Sequence, residues 1–193
     1  MSTDNILNAV NRHINLTAGE ATFFQSLLTP QKIRQGEFVE TSGELTRYMI
    51  YVNAGCLMTY FTDRDGFDHV IQFAMPGWWT GDLQSFTQQV PSIYSTRALA
   101  DSEVLLLPKA SMDQLLEKHP KFERYFRIIF QNSLVTNQNR IIMSYSATAE
   151  ERYTAFREKY PTLEQYVPLK YIASYLGITP EFLSKVRRKL MTR

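Results

Sequence analysis

The sequence has few of the residues that build catalytic and metal centres. It contains one cysteine, Cys56, and three histidines, His13, His69 and His119, in 193 residues. One cysteine excludes a disulfide within the chain, and three scattered histidines leave no cluster with metal-ligand spacing. No GxSxG, HExxH or phosphate-loop motif occurs, and no acid pair sits at useful spacing on one element. The chain is therefore expected not to be an enzyme. Its apolar runs are too short to span a bilayer, and the N-terminus has no signal-peptide hydrophobic region. Low-complexity segments and internal repeats are missing too. What remains is a soluble, cytoplasmic protein of ordinary composition, 44% hydrophobic and 21% charged, long enough for one large domain or two small ones.

The net charge of +2 is small but unevenly placed. Residues 169–193 hold six of the 21 basic residues and one of the 19 acids, which gives +5 there and −3 for the rest. A basic tail on a mildly acidic body suits a module that meets phosphate with one end. The same stretch, LKYIASYLGITPEFLSKVRRKL from Leu169 to Leu190, reads as two amphipathic helices around a tight turn. Ile172 and Leu176 share one face of the first helix; Leu183, Val186 and Leu190 share one face of the second. Ala173 leaves room where the helices cross, and Gly177 supplies the left-handed turn. Ile178 should point inward. Thr179 followed by Pro180 is a hydroxyl cap with proline at the first helical position. This pattern resembles the DNA-binding helix-turn-helix. Opposite the core, the second helix offers Glu181, Ser184, Lys185 and Arg188 to base edges. Lys170, Thr179, Arg187 and Lys189 are better placed to position the DNA backbone.

The body has a different texture. Residues 3–28 look helical, with a capping box at Thr17 and Glu20 between two apolar stripes. From Ile33 to Pro108, runs of β-branched and aromatic residues alternate with glycine-containing turns. The runs are Tyr48–Val52, Cys56–Phe61, Phe67–Phe73, Ile93–Ala100 and Val104–Leu107, and they imply an antiparallel sandwich or barrel. Cys56 on such a strand reads as a buried structural thiol. Asp63-Arg64-Asp65-Gly66-Phe67-Asp68 has some features of a calcium loop but lacks the closing glutamate at its twelfth position, so a hairpin turn is expected. The Trp78-Trp79 pair reads as a cover for one end of the sheet structure in preference to a stacking platform.

After Pro108, Ser111 should cap a short helix that runs through Lys118, and Pro120 opens a helix to about Tyr145. A helix of some 25 residues is about 37 Å long at 1.5 Å per residue, and this one carries a stripe of Phe122, Phe126, Phe130, Leu134, Asn137, Ile141 and Tyr145. Such a stripe can pack against a twin in a second subunit, with Asn137 setting register, or against the chain's own sheets. Thr148 caps a further helix from Ala149 to about Tyr160, with Tyr153 and Phe156 facing inward. A domain boundary falls near Ser144–Thr148.

GEFVETSGE (Gly36–Glu44), YVNAGCL (Tyr51–Leu57), the DRDG hairpin, VIQFAMPGWWTGDL (Val70–Leu83) and EVLLLP (Glu103–Pro108) are similar to a cyclic-nucleotide-binding β-roll. Followed by a helix-turn-helix, they resemble the cyclic-AMP receptor protein family of transcription regulators, the Crp/Fnr type. The resemblance covers nearly the whole chain. It implies an α+β fold: a roll domain with flanking helices and a dimerisation helix (about 121–145) over residues 1–146, then a DNA-binding domain over 147–193. It also implies a homodimer on double-stranded DNA, with the long helix as the dimer seam, and it admits RNA polymerase as a further partner. Two such reading helices would enter successive major grooves about 34 Å apart.

The sequence departs from that pattern in two places. In cyclic-AMP-binding members, Gly-Glu-Leu is followed eight residues on by an arginine that pairs with the cyclic phosphate. Here Gly81-Asp82-Leu83 matches, but Ser92 occupies the arginine position, followed by Ile93. Arg97 lies five residues further, an odd offset that turns it to the other face of a strand. Cyclic AMP is therefore not expected to bind, and a small effector other than cyclic AMP is expected if the roll is a sensor. Trp78, Trp79, Gly81, Asp82, Leu83, Ser92 and Ile93 are the pocket candidates, with ligand contact and plain packing both open for them. The sequence also ends three residues after Leu190, where family members continue into a β-hairpin wing. That departure leaves room for a second reading, a ligand- or protein-binding module of the same fold that no longer reads DNA.

Overall fold

The computed structural model describes residues 2–191, so Arg193, counted in the basic tail, lies outside the described residues. The chain packs as two units. One comprises the residues up to Phe61 together with Gln72–Gln131; the other comprises Thr62–Ile71 and the chain from Asn132 on.

The first unit is the expected roll. One sheet has the order β1 (Thr29–Ile33), β8 (Ser102–Pro108), β3 (Tyr48–Ala54), β6 (Trp79–Thr80). The other has the order β2 (Phe38–Glu40), β7 (Ser95–Ala98), β4 (Leu57–Thr62), β5 (Asp68–Ala74). The pairs β1–β8, β3–β8, β3–β6, β2–β7 and β4–β7 are all antiparallel. Strand β1 was not legible as a strand because it contains Pro30 and polar residues. It survives because it is an edge strand, where a missing N–H costs no ladder bond. The turn between β3 and β4 tolerates nothing but glycine. Gly55 has φ +86°, and a Cβ there would fall 2.2 Å from Ser102 Oγ and 2.6 Å from the Asp101 carbonyl oxygen.

Strands β3 and β8 are buried on both faces, so they feed two cores. Ile50, Val52, Val104 and Leu106 pack with Ile33, Leu57, Ala74 and Ala98 in one cluster. Their neighbours Met49, Tyr51, Leu105 and Leu107 point the other way, to a cluster built with helices α1 (Asp4–Asn11), α2 (Ala18–Ser26), α4 (Lys109–Lys118) and α5 (Lys121–Ser146). The expected capping box is present: Thr17 Oγ1 accepts from the Glu20 N–H, and Glu20 accepts from the Thr17 N–H at 2.8 Å. Helix α4 starts earlier than expected. Pro108 is its N-cap residue with no side-chain cap bond, and Ser111 lies inside the helix.

The expected dimer stripe needs a correction at its start. Phe122 is fully buried and Phe126 nearly so, both in the protomer's own helical cluster, with Phe130 packed partly against it. A side chain closed within one protomer cannot also meet a second. Beyond Gln131 the same helix is bare: residues 131–139 are all exposed, Leu134 at 59%, and Ile141 follows at 55%.

In the second unit, Thr148 forms a capping box with Glu151 at the start of α6 (Ala149–Lys159). Tyr153, Phe156, Tyr160, Leu163 and Val167 are buried, as are Ile172, Ala173 and Leu176 of α7 (Leu169–Leu176) and Leu183 and Val186 of α8 (Pro180–Met191).

Candidate functional site

The turn between α7 and α8 forms as the sequence implies. Gly177 takes the left-handed conformation, φ +66° and ψ +38°, and its N–H bonds back to the Ser174 carbonyl at 3.1 Å. Thr179 Oγ1 accepts from the Phe182 N–H at 3.2 Å and so caps α8. With Leu183 and Val186 turned inward, Glu181, Lys185 and Arg188 are exposed on the opposite side. Glu181 stays ionised: its own N–H and the Thr179 hydroxyl hold its carboxyl below the usual range.

Several of the expected DNA contacts are otherwise engaged, and Arg188 donates from its Nε to the Ser184 carbonyl at 3.4 Å. Ser184 donates its hydroxyl proton to the Pro180 carbonyl at 2.9 Å, which leaves only its lone pairs for a base. Arg187 is half-buried with Nε 3.8 Å from Glu164 Oε1, and the same oxygen accepts from the Tyr153 hydroxyl at 2.5 Å. Lys189 is paired with Glu150. These two cations therefore pin α8 to α6 and to the short turn Leu163–Gln165, and they neutralise part of the basic tail within the unit. Lys170 is exposed and lies over the Tyr171 ring at 4.8 Å. Phe182, which the sequence reading passed over, leaves the first turn of α8 about half exposed.

In the roll, the expected pocket residues separate into three groups. Asp82 and Ser92 come together: Ser92 Oγ donates to Asp82 Oδ2 at 2.9 Å. Asp82 Oδ1 accepts from the N–H groups of Gln84 and Ser85, which makes Asp82 the N-cap of α3 (Leu83–Gln88), a helix absent from the sequence reading. Gly81 precedes it at φ +128°. Trp79 is a correction. It is buried among the helices, its Nε1 donates to the Tyr125 hydroxyl at 2.9 Å, and its ring meets Tyr51 edge-on at 5.3 Å. It packs and does not line a ligand cavity. Trp78 is half-buried and turns the other way, against the second cluster. Leu83 and Ile93 are exposed.

A buried polar chain went unread in the sequence. Thr59 Oγ1 lies 2.9 Å from Thr80 Oγ1 and 3.0 Å from Thr96 Oγ1, and Thr96 donates to Glu40 Oε2 at 3.0 Å. Burial pushes the Glu40 carboxyl above its usual range, and the neighbouring Asp82 carboxylate pushes the same way. A cavity of about 480 Å³ lies beneath residues 39–48 and is lined by Glu40, Glu44, Thr46 and Arg47 among others. The charged groups lining the cavity are thus two carboxylates, Glu40 and Glu44, and one cation, Arg47, with Asp82 beside Glu40. Arg97 is not in reach, since Thr96 and Ala98 are the buried positions of β7 and Arg97 lies over the Tyr60 ring at 5.2 Å.

Burial pushes the Cys56 thiol up to about 12, which keeps it protonated and inert. Among the described residues, no group of three or more His, Cys, Asp or Glu is placed to hold a metal ion. Nor is any helix long and apolar enough to cross a membrane.

Residues 30–119 match the cyclic nucleotide-binding domain family. The chain is 25% identical over 171 residues to the anaerobic regulatory protein of Pasteurella multocida, covering 82% of this chain and 61% of that one. It is 26% identical over 187 residues to the nitrogen fixation regulation protein FixK of Bradyrhizobium diazoefficiens, covering 91% of this chain and 77% of the relative. The structure of FixK2 from Bradyrhizobium japonicum superposes with a TM-score of 0.74 at 21% identity, over 86% of this chain and 85% of that one.

Proposed function

We propose that this chain is a Crp/Fnr-type, DNA-binding transcription regulator that works as a homodimer in the cytoplasm. The observation that carries the reading is α8: a capped helix held by two buried apolar side chains, with Glu181, Lys185 and Arg188 exposed opposite them. An acceptor and two cations at helical spacing suit base edges in a major groove. Arg187 and Lys189 fix the helix, Thr179 caps it, and Lys170 meets phosphates. Residues 1–146 form the sensing part and 147–193 the reading part, and the bare half of α5 is the seam with a second copy. No step of this function requires an enzymatic centre. RNA polymerase is the partner through which such a dimer would act on transcription.

The roll would bind an effector other than cyclic AMP, because Glu40 and Glu44 outnumber Arg47 in its cavity and Ser92 stands where the phosphate-pairing arginine would be. Calorimetry with cyclic AMP at up to millimolar concentration should give no saturable heat. Micromolar binding would reverse the assignment of Ser92 and Asp82.

DNA binding itself is tested with a random-sequence duplex over a range of salt concentrations. Each phosphate neutralised contributes about −0.9 to the slope of log K against log salt, so a dimer making several contacts should give a slope of about −4 or steeper. A flat salt dependence would favour the binding module that no longer reads DNA.

A further inference from the structure

The second unit contains a cavity of about 500 Å³, distinct from the cavity beneath residues 39–48 and from the reading face of α8. Its size falls within the range of about 300–1,000 Å³ typical of small-molecule sites. It is walled by the β5 end of the hairpin (His69–Ile71), the C-terminal half of α5, α6, and the end of α7 with Gly177. Most of the wall is apolar, including Ile71, Ile141, Met143, Phe156 and Leu176. The charged or titratable side chains among the lining residues are Arg140, Arg152, Lys159 and His69, the last bonded to Asp63 at 2.6 Å, and no carboxylate is among them.

The two arginines have only neutral partners. Arg140 donates to the Ile71 carbonyl at 2.6 Å and lies over the Tyr175 ring at 5.0 Å. Arg152 donates from one terminal nitrogen to the Ser144 carbonyl at 3.2 Å, while its Nε is closed from solvent and has no partner among the described residues. A half-buried guanidinium with no counter-anion, beside an apolar cavity, leaves both charge and donors uncompensated. The missing complement is an anionic acceptor for the terminal N–H groups of these guanidiniums, which a carboxylate supplies through charge-assisted hydrogen bonds.

We infer that this cavity is a binding site for a small amphipathic carboxylate, its acid group on Arg152 and Arg140 and its apolar body against Ile71, Phe156 and Leu176. The site is separate from the cavity beneath residues 39–48, and its lining differs in charge: Glu40, Glu44 and Arg47 there, Arg140, Arg152 and Lys159 with no carboxylate here. An occupant would touch the α7 end next to the Gly177 turn, so it could also stiffen the helix-turn-helix.

The test uses the full chain and direct binding, so its result does not depend on whether DNA is read. Isothermal titration with hexanoate, octanoate, decanoate and indole-3-acetate is compared with the matching alcohols. At least one carboxylate should saturate at one per protomer and bind tenfold or more tighter than its alcohol. Arg152→Gln should weaken it about tenfold or more, and Arg140→Gln should act in the same direction. If removing a guanidinium disturbs folding, Ala155→Leu, which fills the cavity from α6, should abolish binding with an unchanged circular dichroism spectrum. Equal binding of acid and alcohol, full binding by Ala155→Leu, or no saturable binding across the series would overturn the assignment.

Discussion

Replacing Lys185 and Arg188 together by alanine is expected to remove sequence-specific DNA binding while leaving the fold and the dimer intact. Both side chains are exposed on the side of α8 away from Leu183 and Val186, so truncating them opens no cavity. Each good base contact discriminates by about 1–3 kcal/mol. Losing two costs about 2–6 kcal/mol, a thirtyfold drop or more at fixed salt. Residual affinity for random duplex should persist, with a shallower salt slope, because Lys170 and the helix termini still meet phosphates. Arg187→Ala supplies the contrast. Its Nε faces Glu164, which also accepts from Tyr153, so its loss should lower the melting temperature and leave sequence preference largely unchanged. Fluorescence anisotropy on a selected operator and on random duplex separates the two outcomes. Unchanged operator affinity in the double variant would remove α8 from the role of reading helix.

What the sequence made legible was whatever depends on local rules. The turn at Gly177, the caps at Thr17, Thr148 and Thr179, and the inward side chains of α7 and α8 follow from spacing and from residue chemistry within one or two turns. The strand runs from Tyr48 to Leu107 were visible for the same reason. The failures share another cause: a partner distant in sequence decided the outcome. Strand β1 exists because β8 offers it a ladder, although Pro30 argues locally against a strand. Trp79 was grouped with Trp78 by adjacency. Neighbouring strand residues point to opposite faces, and Tyr51, Tyr125 and Phe126 waited on one of them. The chain Thr59, Thr80, Thr96 and Glu40 spans four strands and could not be assembled from any single one. Arg187 and Lys189 counted as free positive charge until Glu164 and Glu150 were placed beside them. Charge totals locate a basic segment; they do not say which of its cations face outward.

The long helix α5 shows the same limit, and it yields the second large effect. Its stripe from Phe122 to Ile141 reads as one seam in the sequence, but the environments of its two halves differ. Phe122→Ala should behave as a core truncation, costing about 3–5 kcal/mol of stability with the oligomeric state unchanged in the folded fraction. Leu134→Glu combined with Ile141→Glu should do the reverse. Those side chains are more than half exposed in the isolated protomer, so the fold loses little. A homodimer seam would lose four apolar side chains, each worth about 1.5–3 kcal/mol when fully buried, and gain four like charges. Sedimentation should then show a protomer mass, and affinity for a two-half-site operator should fall about a hundredfold or more as the linkage between half-sites is lost. Affinity for a single half-site should barely change, because α8 is untouched. A double variant that remains dimeric would place the seam elsewhere and leave the bare face of residues 131–145 without the role proposed for it.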